Sequence, residues 1–288
     1  MRHAGIDDFL RLARPALAAG PVAVIMAEDL VEVESTLQHH LAAGFRTLLL
    51  FAPQTLVLDP EIAAQVHRID HPVREEHALV RAVNRLIPHA PPGTWFYYGY
   101  NAEYLFHPFC ETRNVRELLA FHTEERRDAM LAYVVDLYAG DLDRFPNAVD
   151  RAGALMDRTG YYALARPGPE GHPKERQLDF FGGIRWRFEE HVPRARRKID
   201  RVALFRSQPG LVLRDDFTFS AEEYNTYACP WHHSLTAAVA SFRTAKALKS
   251  NPGSTYEIPT FLWHNSVAFE WSSQQLMTLG LMEPGQWF

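Results

Sequence analysis

Glu103 closes the tetrad Tyr100-Asn101-Ala102-Glu103, set between the aromatic run Trp95-Phe96-Tyr97-Tyr98 and Pro108. A carboxylate at the end of a strand is placed to take a proton from an acceptor hydroxyl or to hold a cation. It is equally placed to close the strand end by local pairing. Asp136 lies inside the apolar run Ala129–Tyr138. A carboxylate there needs a partner, so it either positions an acceptor or is a buried, hydrogen-bonded acid. Asp141-Leu142-Asp143 is the one literal Asp-x-Asp of the chain. Its Gly- and Pro-flanked setting makes it a turn, because aspartate side chains close such turns on their own backbone.

Cationic and imidazole groups form a second set. Gly182-Gly183 precedes Arg185 and Arg187, and the reading is two guanidiniums on one side of an extended segment. Such a pair suits bidentate phosphate binding, with a glycine-permitted turn carrying surface arginines as the alternative. His232-His233 follows Trp231 at the start of a helix expected over 231–248, where imidazoles and helix N-terminal amides favour a cation or a diphosphate. Adjacent helical residues point in different directions, so one histidine packs and the other faces the site. His39-His40 reads as surface and helix-end packing. The run Arg194-Ala195-Arg196-Arg197-Lys198 reads as a solvated basic face, or as a dock for a membrane-borne or polyanionic acceptor. Walker, GxGxxG and Ser-His-Asp patterns are absent from the sequence, which argues against P-loop, dinucleotide and serine-hydrolase chemistry.

The elements that must carry these groups alternate. Residues 4–18 have helical spacing and stop near Pro15. Pro21–Ala27 is a continuous apolar run, as in a strand buried on both faces of a parallel sheet. Leu30, Val33, Leu37 and Leu41 recur at helical spacing and end at Gly44, and Phe45–Phe51 is the next buried strand, completing a βαβ unit. A short strand at Val66–Ile69, a helix at Glu75–Ile87 and the strand opening at Trp95 continue the alternation. Further on, Val115–Ala120 reads as helix, Ala129–Tyr138 and Val202–Phe205 as strands, and residues 145–178 as a long irregular excursion. The class is α/β. The polar tetrad then falls at the carboxyl edge of an inner strand, where open α/β sheets bind ligands.

The composition bounds the function. A chain of 288 residues, 47% hydrophobic and 23% charged, supports one large domain. A formal charge of -5 with one dense basic run argues against a nucleic-acid surface. Two cysteines far apart, Cys110 and Cys229, indicate neither a disulfide framework nor a cysteine zinc site. The N-terminal stretch carries Asp7, Asp8, Arg11 and Arg14 and two prolines, unlike a signal peptide. No run of about 18 uncharged apolar residues exists, so a spanning helix is excluded. A cytoplasmic location is expected, with peripheral association at the inner face of a membrane as the variant.

The order of features resembles bacterial family 2 glycosyltransferases of the GT-A fold. The resemblance rests on the strand ending in Ala27-Glu28-Asp29, the helix carrying Gln38-His39-His40-Leu41-Ala42-Ala43-Gly44, and the strand Leu48–Phe51. It continues through the strand at Trp95, Glu103-Tyr104-Leu105, Asp136-Leu137-Tyr138, Gly182-Gly183 with Arg185 and Arg187, and Trp231-His232-His233, covering most of residues 20–250. It implies a nucleotide-diphospho-sugar transferase fold, a Rossmann-like mixed sheet flanked by helices with a C-terminal helical elaboration. The domain is expected over 1–250, with its core from about residue 20, and 251–288 as an extension packed on it.

The resembled family keeps Asp-x-Asp-Glu at the end of the fourth strand, one aspartate for the donor ribose and one for a divalent cation bridging the diphosphate. Here Tyr100-Asn101-Ala102-Glu103 stands in that register, so Mg²⁺ or Mn²⁺ is disfavoured as a cofactor and no metal ligand is assigned. The expected activity is transfer of a sugar from a UDP- or GDP-type donor to a saccharide or lipid-linked acceptor, inverting and metal-independent. Glu103 and Asp136 are the expected catalytic carboxylates. Ala27, Glu28, Asp29, Tyr100, Asn101, Arg185, Arg187, His232 and His233 are the expected substrate-binding residues. Two alternatives stand beside this: a degenerate GT-A-fold binding or scaffold protein, and a metal hydrolase built on His232, His233 and Asp136.

Overall fold

The structure, a computed structural model, describes residues 1–168, 170–226, 228–229 and 232–287, with the backbone alone at 228–229 and 232–233. In chain order the elements are β1 (Arg2–His3), α1 (Ile6–Leu12), β2 (Val22–Met26), α2 (Val33–Ala42), β3 (Thr47–Ala52), α3 (Pro60–Gln65), β4 (His67–Asp70), α4 (Ala78–Leu86), β5 (Trp95–Tyr100), β6 (Glu103–Phe106), α5 (Val115–Glu124) and β7 (Ala129–Tyr138). There follow β8 (Leu155–Asp157), β9 (Tyr162–Pro167), β10 (Pro173–Phe181), α6 (Gly183–Arg187), β11 (Asp200–Arg206), β12 (Ala228–Cys229), β13 (His232–His233), β14 (Ala237–Ser241), α7 (Arg243–Ser250), α8 (Pro252–Thr255), β15 (Ser266–Ala268) and α9 (Ser273–Thr278). The chain divides into two compact units. Unit 1 comprises Met1–Tyr104, Thr112–Leu131 and Val202–Asn225, and unit 2 comprises Leu105–Glu111, Ala132–Arg201 and Thr226–Phe288.

Unit 1 carries a sheet in the order β1-β4-β3-β2-β5-β11. The pairs from β1 to β5 are parallel, and β11 runs antiparallel to β5 with Phe205 opposite Phe96. Every residue of β2, β3 and β5 is buried, which is why the sequence shows continuous apolar runs there rather than alternation. The connections are helical. α2 ends at Gly44, whose φ of 99° no L side chain adopts readily, and the chain then turns into β3. α5 opens on a capping box in which Asn114 accepts from Glu117 N–H and the Glu117 side chain accepts from Asn114 N–H. The core joins Leu17, Val24, Phe51, Leu79, Val83, Phe96, Tyr98 and Phe205. Unit 1 is therefore α/β, with a mixed, largely parallel sheet flanked by helices and a Rossmann-like strand order.

In unit 2, β14 pairs parallel with β7, placing Ser241 opposite Asp136, and β8 pairs antiparallel with both β7 and β15. β9 and β10 form a separate two-stranded antiparallel ribbon. A smaller core packs Tyr138, Ile184, Val192, Ala245, Leu248, Ile258 and Phe261. Three expectations fail here. Residues 145–178 hold β8, β9 and most of β10 rather than an irregular excursion. Gly182–Arg187 is a turn into the short helix α6, not an extended segment. Among the described residues of the stretch expected as one helix over 231–248, β13 pairs with the preceding β12, β14 follows, and helix starts only at Arg243. The five residues of β14 are all buried, and a short, uniformly apolar run fits a buried strand as well as a helix. Among the described residues, no helix is long and apolar enough to cross a membrane.

Candidate functional site

Strand order locates the crevice of unit 1. From β2 the chain moves to β3 on one side, while β5 lies on the other, so the carboxyl ends of β2 and β5 flank a topological switch point. Met26 and Tyr100 are opposite residues in that pair, and Asn101 N–H extends the ladder to Met26 O at 3.0 Å. Glu28, Asp29 and Asn101 thus stand together at the edge. Asn101 is fully buried and ties the two chain ends: its Oδ1 accepts from Glu28 N–H at 2.9 Å, while its Nδ2 donates to Asp29 Oδ1 at 2.5 Å and to Val31 O at 2.8 Å. An amide does this because it donates and accepts at once, which an aspartate cannot.

The rest of the tetrad turns back on itself. Ala102 has φ of 58°, and its N–H donates to Thr36 Oγ1 at 2.9 Å. Glu103 is fully buried, and its Oε2 accepts from Tyr100 N–H at 3.0 Å. Gly99 makes room for this arrangement, since a Cβ there would stand 2.6 Å from Tyr97 Oη and 3.1 Å from Glu103 Oε2. Tyr100 packs in the core of unit 1, and Ala27 is buried. Neither aromatic ring nor methyl is a hard-cation ligand, Asn101 is committed to the chain ends, and Glu103 faces its own turn. This donor set does not fit a diphosphate-bridging Mg²⁺ or Mn²⁺.

Sequence reasoning missed the groups around this turn. Glu32 accepts from the hydroxyls of Ser35 and Tyr104, the latter at 3.2 Å, and those hydroxyls lie 2.8 Å apart. Thr36 Oγ1 donates to Glu32 O at 2.6 Å while receiving Ala102 N–H. The spacing Glu32, Ser35, Thr36 is local to the start of α2 and carries no signal of their meeting with Ala102 and Tyr104. His40 is not at the surface: it is fully buried, stacked on Tyr97 at 4.8 Å, with Nδ1 against Thr36 O at 2.8 Å. Burial first, then the neighbouring His39, pushes its pKa down to about 3, while Thr36 O and Glu103 pull the other way.

The second predicted set lies in unit 2. Arg185 Nε donates to both oxygens of Asp136, at 3.1 and 3.2 Å, and to Thr244 Oγ1, while its Nη1 reaches Lys198 O at 2.8 Å. Burial raises the Asp136 carboxyl above the usual range, against the pull of Arg185 and Thr244. Arg187 meets a residue the sequence did not flag. It donates to Asp157 Oδ2 at 2.8 Å and Oδ1 at 3.1 Å, and to Phe261 O at 2.7 Å. Asp157 also accepts from Trp263 Nε1 at 2.8 Å and from the Tyr138 hydroxyl. Both arginines are thus engaged with protein carboxylates. Asp157 escaped notice because it ends a three-residue strand inside a stretch read as loop. Asp141 closes a turn, its Oδ1 accepting from Asp143 and Arg144 N–H at 3.0 Å each. The side chains of His232 and His233 and the whole of Trp231 lie outside the described residues.

A cavity of about 620 Å³ in unit 1, lined by Arg14, Pro15, Pro88, His89, Pro91 and Pro209, sits before β5 and after the antiparallel β11. That is the opposite sheet edge from the switch point. Among the described residues, no three His, Cys, Asp or Glu side chains converge as a metal site. No protein-family model matches the chain, and no curated protein matches it significantly.

Proposed function

We propose that the chain is a glycosyltransferase-like protein of GT-A type that binds a UDP- or GDP-type nucleotide sugar at the carboxyl ends of β2 and β5 and does so without a divalent cation. The observation that carries this reading is the switch point itself, where Asn101 holds Glu28 and Asp29 at the edge on which open α/β sheets take nucleotides. The antiparallel β11 beside β5 supports it further, since the GT-A expectation is a mixed sheet. In transfer, an acceptor hydroxyl of a saccharide or lipid-linked sugar attacks the anomeric carbon, the bond to the diphosphate breaks, and the nucleoside diphosphate leaves with inversion. The hydroxyl proton goes to a carboxylate base, for which Glu103 and Asp136 are the proposed groups.

A second reading, a GT-A-type fold kept for binding alone, is favoured by one feature: both bases are engaged at rest, Glu103 with Tyr100 N–H and Asp136 with Arg185. Calorimetry with UDP, GDP and their sugars, with Mn²⁺ and with EDTA, followed by donor hydrolysis, separates the two. Binding insensitive to EDTA with turnover supports transfer, and binding without turnover supports the second reading. Asn101→Ala is expected to weaken binding by roughly tenfold or more, since it removes the tie between the two chain ends. Failure of every UDP- and GDP-sugar to bind overturns both.

A further inference from the structure

The ribbon β9–β10 has no counterpart in unit 1, and its first strand is open on both faces. Tyr162, Ala163, Leu164 and Ala165 are all exposed. An isolated two-stranded ribbon is marginal in water, and one with outward-facing apolar side chains more so. Alternation puts Tyr162 and Leu164 on the same face, and the cross-strand register adds Phe181, opposite Tyr162 and stacked on it at 5.2 Å. α6 adds an exposed ring beside the start of β9. The Trp186 ring lies against Gly160, 3.2 Å from where a Cβ would stand and two residues before Tyr162. Tyr162, Leu164 and Trp186 are 44%, 55% and 41% exposed, high values for large apolar groups.

Charge decides what covers them. Between residues 158 and 198 the sequence holds ten Arg and Lys against five Asp and Glu, and three of the five surplus cations are offset by acids outside that span, Arg166 by Asp200, Arg185 by Asp136 and Arg187 by Asp157, in a chain whose formal charge is -5. The acids at the base of the ribbon are paired, Asp179 with Arg166 and Lys198 and Asp200 with Arg166, while Glu175 on β10 faces Arg176 and Glu170 in the hairpin turn is exposed. Lys198 bridges its backbone to Phe181, so the basic run ends where the stripe lies. Arg194 and Arg196, four and two residues earlier, are exposed and make no ion pair among the described residues. Aromatic and aliphatic groups with amphipathic rings, flanked by unpaired cations, match the headgroup layer of an anionic bilayer. A second copy of this chain would bring the same positive segment against itself.

We propose that the β9–β10 ribbon, with Trp186 and the basic run at Arg194–Lys198, docks unit 2 on an anionic lipid surface. Tyr162, Leu164 and Trp186 insert at headgroup depth, and Arg194 and Arg196 meet the lipid phosphates. The proposal stands apart from the nucleotide-sugar reading, because docking is scored with no nucleotide present.

The test is flotation of the full chain with phosphatidylcholine vesicles, pure or containing roughly a quarter phosphatidylglycerol. The expected result is flotation with the anionic vesicles only, falling at least tenfold or so when salt shortens the screening length. The double variant Arg194→Glu/Arg196→Glu should lose roughly thirty-fold or more. Leu164→Glu should weaken binding as well, and circular dichroism should show all variants folded, since these side chains are at the surface. Absence of flotation with anionic vesicles overturns the proposal, as does flotation that neither variant changes. A concentration-dependent dimer that Leu164→Glu dissociates, with no vesicle binding, assigns the ribbon to a second copy instead.

Discussion

Unit 1 holds Glu103 buried and Glu32 half-buried, unit 2 buries Asp136 and Asp157, and the two hold their acids by different chemistry. At the edge of unit 1, Glu103 accepts from a backbone N–H and Glu32 from the hydroxyls of Ser35 and Tyr104. In unit 2, Asp136 and Asp157 each face a guanidinium that is itself only 11% exposed. A neutral donor stabilises a carboxylate modestly and exchanges readily for water or ligand. A desolvated guanidinium pair is costly to part, because either member alone is an uncompensated buried charge. The contrast teaches where exchange with a substrate is cheap. It is cheap at the switch point of unit 1 and expensive in the α6 network of unit 2, although the arginines there looked from sequence like phosphate ligands.

The largest expected effect tests the expensive side. Arg187→Ala leaves Asp157 buried with Tyr138 and Trp263 but without its cation, and should lower unfolding stability by about 3–5 kcal/mol in denaturant titration. Ser35→Ala, which removes one neutral donor from Glu32, should cost about 0.5–1.5 kcal/mol. Equal costs would erase the contrast between the two units.

What the sequence made legible follows the same division. The parallel strands of unit 1 were readable because burial on both faces writes continuous apolar runs, as in Val22–Met26 and Thr47–Ala52. The carboxyl-edge position of Asn101 and Glu103 was readable from strand order alone. Their partners were not, because Thr36, Ser35 and Tyr104 reach the turn only through the packing of α2 beside β6. In unit 2 the strands are short and the sequence distances long: Asp157 meets Trp263 across 106 residues, a pairing that no local pattern records. Ala237–Ser241 was read as helix because five buried small and apolar residues carry no period of their own.

A mid-sized effect probes how tightly the unit 1 turn is built. Gly99→Ala places a Cβ against Tyr97 Oη and Glu103 Oε2, and overpacking of this kind costs about 1–3 kcal/mol. The tighter clash is with a hydroxyl, so adding Tyr97→Phe should recover part of the loss, and a double-mutant cycle measures the coupling. Additive costs would mean that Tyr97 and Glu103 do not share the space that Gly99 leaves open, and the turn would be looser than its hydrogen bonds imply.

The last effect is a slope, and its sign differs between the buried histidines of unit 1 and the buried aspartates of unit 2. In unit 1, burial pushes His40 down to about 3 and His122 to about 4, so the fold keeps both rings neutral. An unfolded histidine titrates near 6.5, as the ordinary value for an exposed imidazole. Above that pH both states are neutral and the contribution is complete. As pH falls below it, the unfolded chain takes protons the fold refuses, and stability declines until the folded values are reached, by at most about 1.4 kcal/mol per pH unit for each ring. Asp136 and Asp200 of unit 2 run the other way. Burial raises the carboxyls of Asp136 and Asp200, so on acidification the fold takes these protons before the unfolded chain does. Mild acid should therefore weaken unit 1 ahead of unit 2. His40→Phe, which keeps a flat ring on Tyr97, should flatten the stability profile between about pH 6 and 4 by close to one proton. Hydrogen exchange across the same range should show protection lost first in α2 and β5. Earlier loss in β7 and β14 would reverse the assignment of the acid-sensitive side.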